Sequence, residues 1–122
     1  MLRRSLAFGL VAALAAVLAA TALARRDSTP KLTGSDGPGF TINLKSNGKA
    51  VKSLKAGSYK VVISDRSSIH GWSLDGPHGF AKDVAPVAGT GTKTVTLKLK
   101  AGKYKFYCPA HESIMFGRFT VK

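Results

Sequence analysis

From Phe40 to the end of the chain, apolar and polar residues alternate with period two. In FTINL, Phe40, Ile42 and Leu44 fall on one side, and Thr41 and Asn43 on the other. HGWSL groups His70, Trp72 and Leu74. TVTLKLK sets Val95, Leu97 and Leu99 opposite Lys98 and Lys100. YKFYC sets Tyr104, Phe106 and Cys108 opposite Lys103 and Lys105, and GRFTVK aligns Phe119 with Val121. SYKVVIS reads as a further strand. Such alternation marks strands with one face in a core. Asn47-Gly48 is a strong two-residue hairpin signal. No segment in this region has a helical period. Short strands with close turn signals predict an all-β fold, an antiparallel Greek-key β-sandwich. LKAGSYKV at 54–61 echoes LKAGKYKF at 99–106. The echo is too short for a repeat protein and fits two similar corners of one sandwich.

The pattern changes before Phe40. Arg3 and Arg4 precede an uncharged run, Ser5 to Ala24, made mostly of Ala, Leu and Val and ending in Ala22-Leu23-Ala24. A basic start, an apolar stretch and a small-x-small exit together read as a secretory signal peptide, residues 1–24. The competing reading is an uncleaved membrane anchor, since ~20 apolar residues can cross a bilayer. The Arg pair also admits twin-arginine export. Residues 25–39, RRDSTPKLTGSDGPG, are rich in Gly, Pro, Ser and charge and read as a flexible arm. Residues 40–122 are then the folded domain, exported to a periplasmic or extracellular space, a monomer with no stable membrane insertion after cleavage. One cysteine cannot make an internal disulfide. Stability must therefore come from sheet packing, helped by any metal that binds the folded state.

Charge narrows the choice of partners. The chain holds 19 Lys and Arg against 6 Asp and Glu, a net +13. That excess raises nucleic acid as a partner. The lysines are spaced singly, mostly between apolar residues, and there is no basic helix, RNP-type aromatic motif or zinc-finger spacing. Outward strand positions account for this spacing. Positive charge can also steer the domain to an acidic partner or an anionic surface.

The chemistry concentrates in FYCPAHESIM, residues 106–115. Cys108 is the chain's single cysteine, Met115 its one methionine besides Met1, and His111 lies between them. Strand parity points Cys108 inward, with His111 and Met115 in the loop just beyond. Thiolate, imidazole and thioether are soft or borderline donors, a set that selects copper over calcium or magnesium. A third strong donor is needed. His70 is the best candidate, because it begins an inward-facing run after the turn-like SDRSS. His78, among the turn formers of GPHGF, reads as a surface-loop residue, and Glu112 as a rim charge. Trp72 and Tyr104 read as core packing, and Asp65 and Arg66 as supports for the loop before His70. No paired carboxylates or Ser-His-Asp arrangement suggests an enzyme.

SDRSSIHGWSL, LKAGKYKFYCPAH and MFGRFTV, with the Cys-x2-His-x3-Met spacing, resemble the cupredoxins, in particular the small exported plastocyanin/azurin-like blue copper proteins. The likeness runs from about Phe40 to Lys122. It implies a Greek-key sandwich, one type 1 copper ion and single-electron transfer between redox partners. By resemblance, His70 is the upstream histidine ligand, Cys108 the thiolate, His111 the more exposed histidine and Met115 the weak axial ligand. Pro38, Pro109, Ala110 and Phe116 would form a dry docking patch around His111. Two departures from the pattern stand out. Gly71 replaces the usual Asn after the first histidine, and Pro109 replaces the Ser or Thr after the cysteine, so a side-chain tie between them is lost. The Gly71 and Ala110 amides remain as donors to the sulfur. A copper chaperone or scavenger on the same scaffold, and a metal-free structural module, are the other readings. The absence of Met-rich or His-rich tails speaks against the first, and the retained Cys and Met against the second.

Overall fold

The computed structural model describes residues 28–122. The segment read as a signal peptide, residues 1–24, lies outside them. Ten strands follow in chain order: β1 Lys31–Asp36, β2 Ile42–Ser46, β3 Lys49–Ala50, β4 Ser53–Leu54, β5 Gly57–Asp65, β6 Trp72–Asp75, β7 Ala81–Ala85, β8 Gly91–Leu99, β9 Gly102–Tyr107 and β10 Phe116–Val121. Among the described residues the single helical element is a short 3-10 turn at Pro77–Gly79.

The strands form two five-stranded sheets, ordered β3-β2-β1-β5-β8 and β4-β10-β9-β6-β7. The chain crosses between sheets repeatedly, as in a Greek-key sandwich. The alternation that identifies the strands also builds the core. Leu32, Leu44, Val61, Ile63, Leu97 and Leu99 from one sheet meet Trp72, Leu74, Tyr104, Phe106, Phe119 and Val121 from the other. Trp72 stacks on Phe106 with centroids 5.6 Å apart, and Tyr104 on Phe119 at 5.2 Å. The Trp72 indole N–H donates to the Asn43 carbonyl at 3.1 Å, so this ring is buried without an orphaned donor.

Three features differ from the sequence expectation. First, Lys31–Asp36, inside the stretch read as a flexible arm, is strand β1 and lies between β2 and β5. Its Gly and Ser content answers a packing need. A Cβ on Gly34 would stand 2.6 Å from the Asn43 carbonyl oxygen, so no larger residue fits there. Second, the sheets are mixed. β1 runs parallel to β5, and β4 parallel to β10. Each of these neighbours is reached through a connection outside a hairpin, as parallel strands require. Third, Phe40 does not join Ile42 and Leu44 in the core but is 57% exposed, ahead of β2.

The Asn47-Gly48 turn forms as expected, with both residues at positive φ and Ser46 paired to Lys49. The internal echo also has a structural meaning. Tyr59 donates to the Lys55 carbonyl at 2.6 Å, and Tyr104 to the Lys100 carbonyl at 2.8 Å. Each copy is a tyrosine that ties the start of its strand to the turn four residues earlier.

Candidate metal centre

Two segments converge at one end of the sandwich. β5 ends at Asp65, and a turn follows in which the Ser67 amide donates to Asp65 Oδ1 at 3.2 Å and the His70 amide to the Ser67 carbonyl at 3.1 Å. The Arg66 amide bonds the Asp36 carbonyl at 3.0 Å, which fastens the turn to β1. This turn delivers His70 just ahead of β6, where it is 1% exposed. From the other side, β9 ends at Tyr107 and Cys108 follows, fully buried.

The loop after Cys108 is closed by its own backbone. The Cys108 amide donates to the Met115 carbonyl at 3.0 Å, the His111 amide to the Cys108 carbonyl at 3.1 Å and the Met115 amide to the His111 carbonyl at 2.9 Å. The spacing Cys-x2-His-x3-Met is thus one compact turn between β9 and β10. His111 is half-buried on it, while Met115 is 1% exposed.

Three of the four expected residues present their donor atoms to one point. His70 Nδ1 lies 3.1 Å from His111 Nδ1, and Cys108 Sγ lies 3.7 Å from His111 Nδ1 and 4.0 Å from His70 Nδ1. The centre of that triangle is about 2 Å from each corner, a metal–nitrogen or metal–thiolate bond length of ~2.0–2.3 Å. Two imidazoles and a thiolate in a trigonal array fit copper by softness and by geometry. Met115 is bound to the same turn through its backbone.

The sulfur has one amide donor. Gly71 N–H reaches Cys108 Sγ at 3.4 Å. Among the described hydrogen bonds none runs from Ala110 to the sulfur, contrary to expectation. Gly71 itself explains the missing Asn. A Cβ there would stand 2.7 Å from the Ala85 carbonyl oxygen and 3.1 Å from the Val87 amide, so β7 occupies the space a side chain would need.

Behind the His70 turn lies a pair of groups whose partnership the sequence did not reveal. Asp36 and Asp65 are register partners across the parallel β1–β5 ladder and are 0% and 3% exposed. Neither Asp36 carboxylate oxygen nor Asp65 Oδ2 has another hydrogen-bond partner. Burial, then the hydrogen bond and charge of Asp65, push the Asp36 carboxyl up to about 7. Two adjacent buried carboxylates cannot both ionise cheaply, so the Asp36 carboxyl keeps its proton well above the ordinary carboxylate range.

Around the site the surface is apolar. Phe40, Ile69, Ile114 and Phe116 are exposed large hydrophobic residues. Phe40 meets both imidazoles edge-on, with centroids 5.2 Å from His70 and 5.1 Å from His111. Pro38, Pro109 and Ala110 are exposed as well. Sequence reasoning missed Phe40, Ile69 and Ile114 as members of this surface. Lys105 and Arg118 stand over the Phe116 ring at 4.9 and 5.2 Å, and Lys105 also pairs with Glu112 at 3.1 Å. Glu112 is the rim charge expected. His78 is exposed in the 3-10 turn at Pro77–Gly79, away from the cluster.

Comparison with solved structures gives the fold its relatives. Rusticyanin from Thiobacillus ferrooxidans superposes with a TM-score of 0.54 at 20% identity, covering 75% of this chain and 76% of that one. A rusticyanin variant reaches 0.56 at 16% identity over the same shares. Auracyanin A, described as a blue copper protein from the green thermophilic photosynthetic bacterium Chloroflexus aurantiacus, gives 0.54 at 18% identity, covering 75% of this chain and 98% of that one. Sequence comparison finds no matching family model and no matching curated protein. The chain has the cupredoxin sandwich fold shared by these proteins.

Proposed function

We propose that the protein is an exported type 1 copper protein that carries single electrons between redox partners. The observation that carries this reading is the convergence of His70 Nδ1, His111 Nδ1 and Cys108 Sγ within 4.0 Å of one another at the end of a cupredoxin sandwich. Those three side chains would hold the ion most strongly, with Met115 as a weaker fourth ligand. Copper held there supplies a one-electron couple between Cu(II) and Cu(I).

The chain's own residues do the rest. Two sheets and a backbone-closed loop hold the donors in one arrangement, so little has to move when the charge changes. The Gly71 amide stabilises electron density on the sulfur. Phe40 covers the imidazole pair and keeps bulk water off the rings. His111, half-buried in the apolar surface of Phe40, Ile114 and Phe116, is the exit for the electron. A partner that docks there meets an apolar patch with a positive edge from Lys105 and Arg118, which suits a redox protein carrying acidic groups. The reading is of a carrier, not an enzyme.

A chaperone on the same scaffold would bind copper at the same donors and pass on the ion itself. Voltammetry separates the two. A carrier gives a reversible one-electron wave with copper retained over repeated cycles. Loss of copper to a chelator on each reduction would favour the chaperone.

A further inference from the structure

Strand direction sorts the lysines. β1, β5 and β9 end at the metal-site pole, and β2, β6, β8 and β10 begin there. The opposite pole is where Lys31 pairs with Lys60, Gly57 with Leu99 and Gly102 with Val121. Lys31, Lys60, Lys98, Lys100 and Lys103 all lie on this half and are all exposed. The turn residue Lys55 and the terminal Lys122 extend the same cluster.

The outer face of the first sheet continues it. With Leu32, Leu44, Val61 and Leu97 turned into the core, the alternate positions there are Lys, Ser, Thr, Asn and Val62, with no acid. Its two acidic residues, Asp36 and Asp65, point inward and are buried. Among the described residues the other carboxylates, Asp75, Asp83 and Glu112, belong to the second sheet and its loop, where they take Tyr107, Ser73 and Lys105 as partners. Among the described residues the only ion pair is Lys105–Glu112, so the basic pole has none.

We propose that this lysine pole and sheet face dock on an anionic lipid surface and hold the metal-site pole outward. Charge complementarity is one argument, since each lysine held near anionic headgroups adds to the attraction. Where the chain enters the fold is the other. Lys31 opens β1 at this pole, only a few residues after the apolar run Ser5–Ala24 and the basic Arg25 and Arg26. The described chain thus enters the fold at the lysine-rich pole. The surface also suits a bilayer better than a nucleic acid. It is a broad sheet face of lysine and hydroxyl side chains, without aromatic platforms for stacking bases or arginines for bidentate phosphate contacts. The proposal is independent of which metal the other pole binds.

The test is lysine footprinting on the full chain, with each acetylation rate read by mass spectrometry. The rates are compared with phosphatidylcholine vesicles, with equal mixtures of phosphatidylglycerol and phosphatidylcholine, and with a DNA oligomer. Lys93 and Lys105, nearer the metal-site pole, serve as internal controls. Acetylation of Lys31, Lys60, Lys98, Lys100 and Lys103 is expected to slow at least fivefold on the anionic vesicles only, with Lys93 and Lys105 unchanged. High salt should abolish the effect, because the screening length falls to ~3 Å at 1 M. A Lys60→Gln/Lys98→Gln/Lys100→Gln variant with an unchanged circular dichroism spectrum should lose the protection of Lys31 and Lys103. Uniform protection, protection centred on Lys93 and Lys105, no difference between the vesicles, or protection by DNA alone would overturn the proposal.

Discussion

Gly71 faces Ala85 so closely that a Cβ on Gly71 would stand 2.7 Å from the Ala85 carbonyl oxygen, while the Gly71 amide donates to Cys108 Sγ at 3.4 Å. The contact with β7 and the hydrogen bond to sulfur fix the same peptide. Gly71→Ala must therefore displace backbone, and overpacking of this kind costs ~1–3 kcal/mol. Denaturant unfolding of the metal-free chain should show that loss. A Gly71→Ala protein as stable as the wild type would mean that β7 yields and the glycine is dispensable.

The Asp36–Asp65 pair predicts an unusual pH dependence. The folded-state value of Asp36, about 7, lies above its ordinary 3.8. Folding therefore favours the protonated acid. The stabilisation is fully present below pH 3.8 and is lost as pH rises through about 7. At 1.36 kcal/mol per pH unit its ceiling is about 4 kcal/mol. Metal-free protein should become less stable between pH 4 and 7, and Asp36→Asn should flatten that slope. A wild-type midpoint that rises over the same interval would contradict the raised Asp36 value.

The two tyrosine corners lie at the pole away from the metal centre. Tyr104→Phe removes the bond to the Lys100 carbonyl and Tyr59→Phe the bond to the Lys55 carbonyl. Each should cost ~0.5–1.5 kcal/mol, the net worth of one hydrogen bond. The metal-loaded spectrum should not change in either variant. A shifted spectrum in Tyr104→Phe would show that β9 transmits strain from that corner to Cys108.

Met115 is assigned the weak fourth position. Met115→Leu leaves the two imidazoles and the thiolate in place, so intense colour should persist while the reduction potential moves, since the axial ligand tunes it. Loss of colour on this substitution would make Met115 a structural support of the loop.

How far the sequence could be read depended on the range of each contact. Cys108, His111 and Met115 are neighbours in one loop, so spacing alone brought them together. His70 came from strand parity and the SDRSS turn, a longer inference that the 3.1 Å approach to His111 supports. Phe40 departs from the pattern because β2 begins only at Ile42, so the period does not reach back to the residue that follows the positive-φ Gly39. β1 was hidden because Gly34 serves a close contact that composition cannot tell from a linker. The partnership of Asp36 and Asp65 depends on parallel register between strands far apart in sequence, which no local pattern records.

The most direct test is the absorption spectrum of the full chain on addition of Cu(II), for wild type and Cys108→Ser. Thiolate-to-copper charge transfer in a His2Cys site predicts an intense blue or green colour that saturates at one copper per chain and is absent in Cys108→Ser. A wild-type complex that binds copper without colour, or a colour that survives loss of the thiolate, would contradict the account.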